Sequence, residues 1–407
     1  MRNDNSSLWR NPSFLRLWIA QAVSNAGSKV TEVALPLTAV LVLRATPAQM
    51  GLLSIAGSLP NLLIGLPAGV WIDRSRRRPI LVGADIGRAL LLGSIPVAAW
   101  LGGVTFLHLW IVAFLAGILS VFFQIAAMAV LPAVVSKEQL VEANSKLSMT
   151  DSMIALSGSG AAGALVQFLS APKAILVDAI SYLLSAFALG GVGENEEAPT
   201  RTQRSIWHEV WEGIHELVRT PLLRMLTITS TLGVLSTGLH NTVQMLFFVN
   251  ELQFSPALIG VILSCNGAGA LAGASVAGQL AARMRVGNAL VLGKLIWIVG
   301  SALIVSAGLM GNALFYVLLG QLLIGFGVSV YFINQLSLRQ VITSVRLLGR
   351  VTAARRFVLF GMAVLGAALG GYLGETIGLR ATMLAATTSL CAELLLILNS
   401  SVRQAQV

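Results

Sequence analysis

Charged residues are scarce in this chain of 407 residues, where Asp, Glu, Lys and Arg together make up only 11%. An ordinary soluble domain has about 25%. Hydrophobic residues account for 56% of the chain, and the mean hydropathy is +0.82. So few charges cannot cover the surface of a soluble fold of this size, which excludes a secreted globular protein and a disordered chain.

Cysteine, histidine and nucleotide-binding motifs are also sparse or missing. Cys265 and Cys391 both lie in apolar runs, which argues against a disulfide framework and a metal cluster. The four histidines lack metal-ligand spacing, and no phosphate-binding Gly-Lys-Ser/Thr loop occurs. Glycine-rich runs lie inside apolar segments without strands, which excludes a dinucleotide-binding fold. We therefore expect no metal, no cofactor, no ATP hydrolysis and no enzymatic activity.

Long apolar runs are abundant. A transmembrane helix needs about 20 mostly apolar residues, and we assign twelve such segments. The predicted spans are Phe14–Leu43, Ala48–Trp71, Ile80–Leu101, Leu107–Leu131, Ala143–Leu169, Ala174–Gly191, Leu222–Val249, Pro256–Ala282, Ala289–Leu309, Ala313–Leu338, Val351–Leu373 and Leu379–Leu398. The fold class that follows is an all-α membrane protein with twelve transmembrane helices.

The net charge of +10 is distributed unevenly along the chain. Connections after even-numbered spans carry most of the basic residues, including the run Arg74–Arg78 after the second span. Connections after odd-numbered spans are short and hold only Arg44, Lys173 and Arg380. Because basic loops stay on the cytoplasmic side, both termini are predicted to be cytoplasmic. The charge thus sets membrane orientation and does not indicate a nucleic-acid partner.

An internal repeat divides the chain into two pseudo-symmetric six-helix halves, residues 1–192 and 221–407, with the substrate path expected between them. The polar connection 193–220 separates them. Its amphipathic stretch Trp207–Ile214 is either a helix at the cytoplasmic membrane surface or part of a solvated linker. The positions that match at one constant offset are Pro47 with Pro256, Gly51 with Gly260, Gly69 with Gly278, Arg74 with Arg283 and Arg76 with Arg285.

The loop between the second and third spans reads Gly69-Val70-Trp71-Ile72-Asp73-Arg74-Ser75-Arg76-Arg77-Arg78. It resembles the signature loop of the major facilitator superfamily, which has a Gly, then Asp-Arg, then a basic cluster. Within that superfamily the chain is similar to the bacterial drug-efflux group that contains macrolide and enterobactin exporters. The supporting segments are Asn11–Trp18, Leu131-Pro132, Glu138–Asn144, Val177-Asp178-Ala179 and Leu348–Val351.

The resemblance implies that Asp73 holds the cytoplasmic side closed in the outward-facing state. Gly69 allows close helix approach, and Asp73 can accept charge-assisted hydrogen bonds. The alternative is a basic loop that only sets topology. In the second half Ala282 replaces the Asp, so the same charge latch is not expected there. The full gating set is Gly69, Asp73, Arg74, Arg77, Arg78, Asp85 and Arg88; of these, Asp85 and Arg88 lie three apart on one helix and are expected to form a structural ion pair.

Ionisable residues at membrane depth are costly and are functional candidates. Glu32 is the first candidate for proton binding, because a carboxylate removed from water takes up a proton more readily. A static pair with Lys29 is the alternative. Asp151 and Asp178 are further candidates. Lys146, Lys294, Arg355 and Arg356 are expected to extend towards the cytoplasmic surface. The candidates for lining the substrate cavity are Gln21, Asn25, Lys29, Gln124, Asn241, Gln244, Asn266, Tyr331, Asn334 and Gln335.

The resemblance implies a secondary active transporter that exports amphipathic small molecules by proton-coupled alternating access. Drugs, macrolide-like compounds and siderophore-like metabolites are the expected substrates. The protein would act as a monomer in the lipid bilayer of a bacterial plasma (inner) membrane, with protons and the small-molecule substrate as its partners. The alternatives are a facilitator or importer of a lipid or metabolite, and a non-transporting membrane receptor.

Overall fold

The structure of the protein is a computed structural model. The structure describes residues 8–136, 138–191, 206–309, 311–344, 347–400 and 402–403. Every regular element in those ranges is helical, and the predicted all-α class is confirmed. The α-helices are α1 (Pro12–Leu41), α2 (Pro47–Asp73), α3 (Arg77–Trp100), α4 (Phe106–Val134), α5 (Leu140–Leu169), α6 (Ala171–Leu189), α7 (Ile206–Arg219), α8 (Pro221–Leu246), α9 (Pro256–Met284), α10 (Val286–Ser306), α11 (Ala313–Ile342), α12 (Leu348–Thr376) and α13 (Leu379–Leu398).

Eleven helices within the described ranges are long and apolar enough to cross a membrane. Helix α1 is not among them because polar side chains, including Asn25, Lys29 and Glu32, interrupt its apolar run. Its 30 residues still reach about 45 Å at 1.5 Å per residue, which is longer than the hydrocarbon core. Helix α7 has 14 residues and is too short to span.

Side-chain caps explain where several of the spanning helices begin. The Asn11 side chain accepts hydrogen bonds from the backbone N–H of Ser13 and Phe14, and Pro12 occupies the first helical position of α1. Thr105 caps α4 in the same way through the backbone N–H of His108. These polar residues stand directly before apolar runs, so the sequence located the helix starts to within a few residues.

The chain divides into two compact units. Unit 1 comprises Met1–Leu43 and Pro60–Gln203, and unit 2 comprises Arg44–Leu59 and Arg204–Val407. Helix α2 therefore contributes residues 47–59 to unit 2 and residues 60–73 to unit 1. The predicted halves 1–192 and 221–407 follow the order of the chain instead, and they stay a prediction.

Helix α7 lies in the predicted connection 193–220, of which residues 193–205 fall outside the described ranges. It packs against α12. The carboxylate of Glu212 pairs with Arg350 at 2.5 Å, and Gly213 lies against the backbone of Arg350. Leu217 is buried, whereas Trp211 is 70% exposed. One face of helix α7 thus packs against α12, and the apolar side chain of Trp211 points away from it.

The two units repeat the same internal packing. In unit 1, α1 packs against α5 and α6, and α3 packs against α4 and α6. In unit 2, α8 packs against α12 and α13, and α10 packs against α11 and α13. The first residues of α1 and α8, Pro12 and Pro221, are 209 positions apart, which is the offset between Pro47 and Pro256. The sequence repeat is therefore a repeat of helix arrangement.

Glycines bring α10 and α11 into backbone contact. Gly293 of α10 faces Gly327 of α11, and Gly300 faces Gly320 one pair further along. A Cβ atom at Gly327 would lie 2.5 Å from the carbonyl oxygen of Gly293 and 2.6 Å from the backbone nitrogen of Trp297. Small residues permit such close crossings, and the contact fixes the position of Trp297.

Candidate functional site

A cavity of about 530 Å³ lies within unit 2. This volume falls in the range of small-molecule sites, about 300–1,000 Å³. The cavity is bounded by residues of α8 to α13 and by the part of α2 that belongs to unit 2. Its aromatic walls are Trp297 and Phe332, and its principal polar residues are Ser54, Thr237, His240, Asn241, Asn266 and Ser301.

Two of the polar residues in this cavity have defined roles in its wall. The Nε2 atom of His240 is buried and has no hydrogen-bond partner in the described ranges. The Asn266 amide donates to the backbone oxygen of Gln321 at 3.2 Å and to its side-chain oxygen at 3.0 Å. Asn266 is therefore oriented by α11, while the imidazole of His240 forms part of the wall with its Nε2 atom enclosed.

The predicted cavity residues fall into four groups. Asn241 and Asn266 line the cavity, and Gln244 lies half-buried further along α8. Tyr331, Asn334 and Gln335 are buried in unit 2 and do not line the cavity. The remaining candidates belong to unit 1, namely Gln21, Asn25, Lys29 and Gln124. Their roles in binding stay a prediction.

Sequence reasoning missed His240 and Trp297. A signal for His240 exists in α8, where polar or small residues recur every three to four positions on one face. These positions are Thr229, Ser230, Gly233, Ser236, Thr237 and His240. For Trp297 the repeat offers the signal, because it lies 209 positions after Arg88.

An ion pair between Lys294 of α10 and Glu393 of α13 is fully buried in unit 2. Nζ of Lys294 lies 2.7 Å from Oε2 of Glu393, and both side chains are 0% exposed. The expectation that Lys294 extends to the cytoplasmic surface is therefore wrong. The ammonium group can stay in the interior because the carboxylate of Glu393 neutralises it. That partner lies 99 residues away in the sequence.

Arg355 of α12 also departs from the expectation that it reaches the surface. It is only 7% exposed, and its guanidinium donates to Ser230 and to the side-chain oxygen of Gln335, both at 2.7 Å. Gln335 in turn donates to Ser230 and to the backbone oxygen of Leu226. Neutral acceptors on α8 and α11 thus hold this cation inside unit 2.

In unit 1 the predicted Asp85–Arg88 ion pair is present and buried. The guanidinium carbon of Arg88 also lies 4.3 Å from the ring centroid of Phe123 and 4.1 Å from that of Tyr182. Asp178 is 0% exposed and accepts hydrogen bonds from Thr31 and Ser181. These contacts join α1, α3, α4 and α6; their role in gating or proton binding stays a prediction.

The other proton-coupling candidates lie on α1 and α5. Nζ of Lys29 is 2.5 Å from Oε2 of Glu32, and the Glu32 side chain is 65% exposed. Asn25 donates to Oδ1 of Asp151 at 2.8 Å. The ion pair considered for Lys29 and Glu32 is therefore formed. The removal from water for which Glu32 was chosen is not seen, because its side chain is largely exposed, and whether Glu32 carries protons stays a prediction.

The gating loop follows α2, which ends at Asp73. The side chain of Asp73 lies outside the described part of the chain. Arg74 is exposed, Arg78 is half-buried, and Arg77 donates to the backbone oxygen of Ala129 at 2.9 Å. A Cβ atom at Gly69 would have no described heavy atom within 4 Å, so the close helix approach expected there is not seen.

Membrane helices in two related sets, together with a mixed polar and aromatic cavity, are the features of a membrane transporter. The sequence profile of the Major Facilitator Superfamily matches residues 17–367. The chain therefore belongs to that superfamily, and it is a multi-pass membrane transporter.

Two relatives match over most of their length. The chain is 28% identical over 387 residues to the multidrug efflux pump Tap of Mycolicibacterium fortuitum, which covers 92% of each chain. It is 22% identical over 369 residues to macrolide efflux protein A of Streptococcus pyogenes, with 90% of each chain covered. A bacterial homologue of the iron transporter ferroportin, solved in an inward-facing state, has the same fold with a TM-score of 0.78 and 19% identity, covering 97% of this chain and 99% of the other.

Proposed function

We propose that this transporter exports amphipathic small molecules, such as drugs, macrolide-like compounds or siderophore-like metabolites. The observation that carries the proposal is the chemistry of the cavity in unit 2. Trp297 and Phe332 offer apolar ring surface, while hydroxyl, amide and imidazole groups offer hydrogen bonds. None of the described lining residues is Asp, Glu, Lys or Arg. A ligand with mixed polarity and no required counter-charge fits such walls.

The direction of transport is supported by the relatives. Tap is a multidrug efflux pump and macrolide efflux protein A is an exporter by name, and both align with at least 90% of this chain. We propose that export runs by alternating access as drug–proton antiport in a bacterial inner membrane, with both termini cytoplasmic. Accessibility labelling of the termini tests the orientation, and an external terminus would overturn it.

Proton coupling is proposed to use Glu32, with Asp151 and Asp178 as further candidates. Glu32 faces outward from α1 and is held by a single short contact with Lys29. Protonation of the carboxylate would remove that contact and leave the Lys29 ammonium free, so the local charge of α1 would change with proton binding. Asp178 differs because it is enclosed by Thr31 and Ser181. The loop at Asp73 is proposed to hold the cytoplasmic side closed.

The experiment is an efflux screen of drugs and metabolites in a pump-deficient host. Cells that carry the wild type should accumulate less of a substrate than empty cells, and a protonophore should restore accumulation. His240→Ala should weaken export because it removes an imidazole ring from the cavity wall. His108→Ala is the matched control, since His108 contacts Ser94 in unit 1. Export that persists with the protonophore would indicate facilitation, and substrate uptake would indicate an importer.

A further inference from the structure

The buried ion pair of unit 2 has no part in the function proposed above. Glu393 accepts a hydrogen bond from Lys294 at 2.7 Å, and the Tyr331 hydroxyl also lies against its carboxylate. Its other carboxylate oxygen, Oε1, is buried and has no hydrogen-bond partner in the described residues. A buried ion pair offsets the loss of hydration only when further hydrogen bonds satisfy the remaining lone pairs. Stabilisation of the fold alone therefore does not explain why this ion pair is buried.

Lys294 has a second set of partners, which are two aromatic rings. Its Nζ lies 4.0 Å from the ring centroid of Trp297 and 3.9 Å from that of Tyr331. The faces of aromatic rings attract cations, and the attraction is stronger away from water. The two rings can therefore hold the ammonium group when the carboxylate is neutral.

Glu393 lies on α13, which packs against α8, α10 and α12, while α11 packs against α10. At Gly233 of α8 a Cβ would lie only 2.9 Å from Oε2, so the absence of a side chain there leaves room for the carboxylate. Arg355 is bound by Ser230 and Gln335 instead. The titratable groups that these elements turn into the interior are Lys294 from α10, His240 from α8, Tyr331 and Arg339 from α11, and Arg355 from α12.

Trp297 joins this pair to the cavity. One residue thus lines the candidate substrate site and also covers the ammonium group of Lys294. A ligand that moves the indole changes the environment of Lys294, and a change in the ion pair changes a wall of the cavity. The two sites therefore share a physical element through which binding at one can bias the other.

We propose that Glu393 is a proton-binding site of the second half of the transporter, with Lys294 as its counter-charge. A proton from solvent adds to the free oxygen Oε1, and the pair changes from neutral to a net charge of +1. Lys294 keeps its own proton and is held by the rings of Trp297 and Tyr331. The inference rests on the proposed proton coupling and adds a site to Glu32, Asp151 and Asp178.

The direct test is infrared difference spectroscopy of the purified protein between acidic and alkaline buffers. The wild type should show the carbonyl stretch of protonated carboxyl groups that exchange slowly with deuterium, and Glu393→Gln should lose one component of that band. The buried carboxyls of Asp85 and Asp178 can account for the remainder. Glu142→Gln is the matched control, because Glu142 pairs with Lys146 on the surface of α5. Its spectrum should keep the slowly exchanging band. If Glu393→Gln is unstable, Lys294→Met combined with Glu393→Gln removes both charges at once, and neutral replacement of a buried pair is tolerated.

The second readout is transport of radiolabelled erythromycin in proteoliposomes. Glu393→Gln should retain counterflow and lose acceleration by a pH gradient. A gradient of one pH unit supports about a tenfold ratio of substrate concentration across the membrane for each proton exchanged. A slowly exchanging band of the same intensity in Glu393→Gln as in the wild type, or unchanged acceleration, would overturn the site. Failure of the wild type to move erythromycin would count against the proposed substrate class, while the infrared result still decides Glu393.

Discussion

Gly327→Ala tests the backbone contact between α10 and α11. The new methyl group would meet the carbonyl oxygen of Gly293 at 2.5 Å and the backbone nitrogen of Trp297 at 2.6 Å. Both are backbone atoms, so no side chain can rotate away and the helices must separate. Overpacking of this kind costs about 1–3 kcal/mol. Alanine favours a helix over glycine by about 0.5–1 kcal/mol, which leaves a net loss of roughly 0–2.5 kcal/mol, whereas the difference from a Gly→Ala control without the clash is the full loss of roughly 1–3 kcal/mol.

Gly361→Ala is the matched control, because Gly361 lies inside α12 with no heavy atom within 4 Å of a Cβ in the described structure. It should be neutral or slightly stabilising, through the same gain in helix propensity. Equilibrium unfolding in detergent micelles, followed by tryptophan fluorescence, measures both variants. A loss of 1.4 kcal/mol is about a tenfold change in the folding equilibrium. Equal stability of the two variants would refute the contact between these helices.

Three further predictions concern the ionisable groups. Asp73→Asn should slow efflux while membrane insertion stays intact, as measured by the export rate and by the amount of protein in the membrane. Normal efflux would contradict the gating role of Asp73. Glu32→Gln should lose proton-driven turnover, and unchanged coupling in a pH-jump assay would leave Lys29 and Glu32 as a static pair. Arg88→Lys should lower the free energy of unfolding by about 1–2 kcal/mol, because an ammonium group cannot stack as a plane between two rings. Arg10→Lys on an exposed position is its control, and equal melting midpoints would contradict the stacking argument.

The helices were readable from the sequence because their signal is local. The predicted span Leu379–Leu398 coincides with α13, and the predicted span Ile80–Leu101 corresponds to α3 at Arg77–Trp100. Length, apolar composition and capping residues lie within one segment, so no knowledge of neighbouring helices is needed. The ion pair between Asp85 and Arg88 could also be predicted from the sequence, because side chains three positions apart on a helix lie next to each other.

Contacts between segments that are distant in the sequence could not be predicted from it. Lys294 was placed at the cytoplasmic surface because its partner, Glu393, lies 99 residues away on α13. Burial of a charge depends on such a partner, and no local pattern reveals it. The internal repeat carried an unused clue, because Lys294 lies 209 positions after Asp85, a charged residue of the corresponding helix. The cavity likewise needs seven helices at once and has no signature in any one of them.

The repeat also shows where the two units differ. In unit 1 both charges of the buried pair lie on α3, three positions apart, so the pair stays intact however α3 moves. In unit 2 the repeat replaces Asp85 by Lys294 and Arg88 by Trp297, and the counter-charge comes from α13. The pair then joins two helices, and any relative movement of α10 and α13 changes the distance between Nζ and Oε2. Because Trp297 also bounds the cavity, a ligand that shifts α10 must act on this pair, whereas Asp85 and Arg88 move as one body.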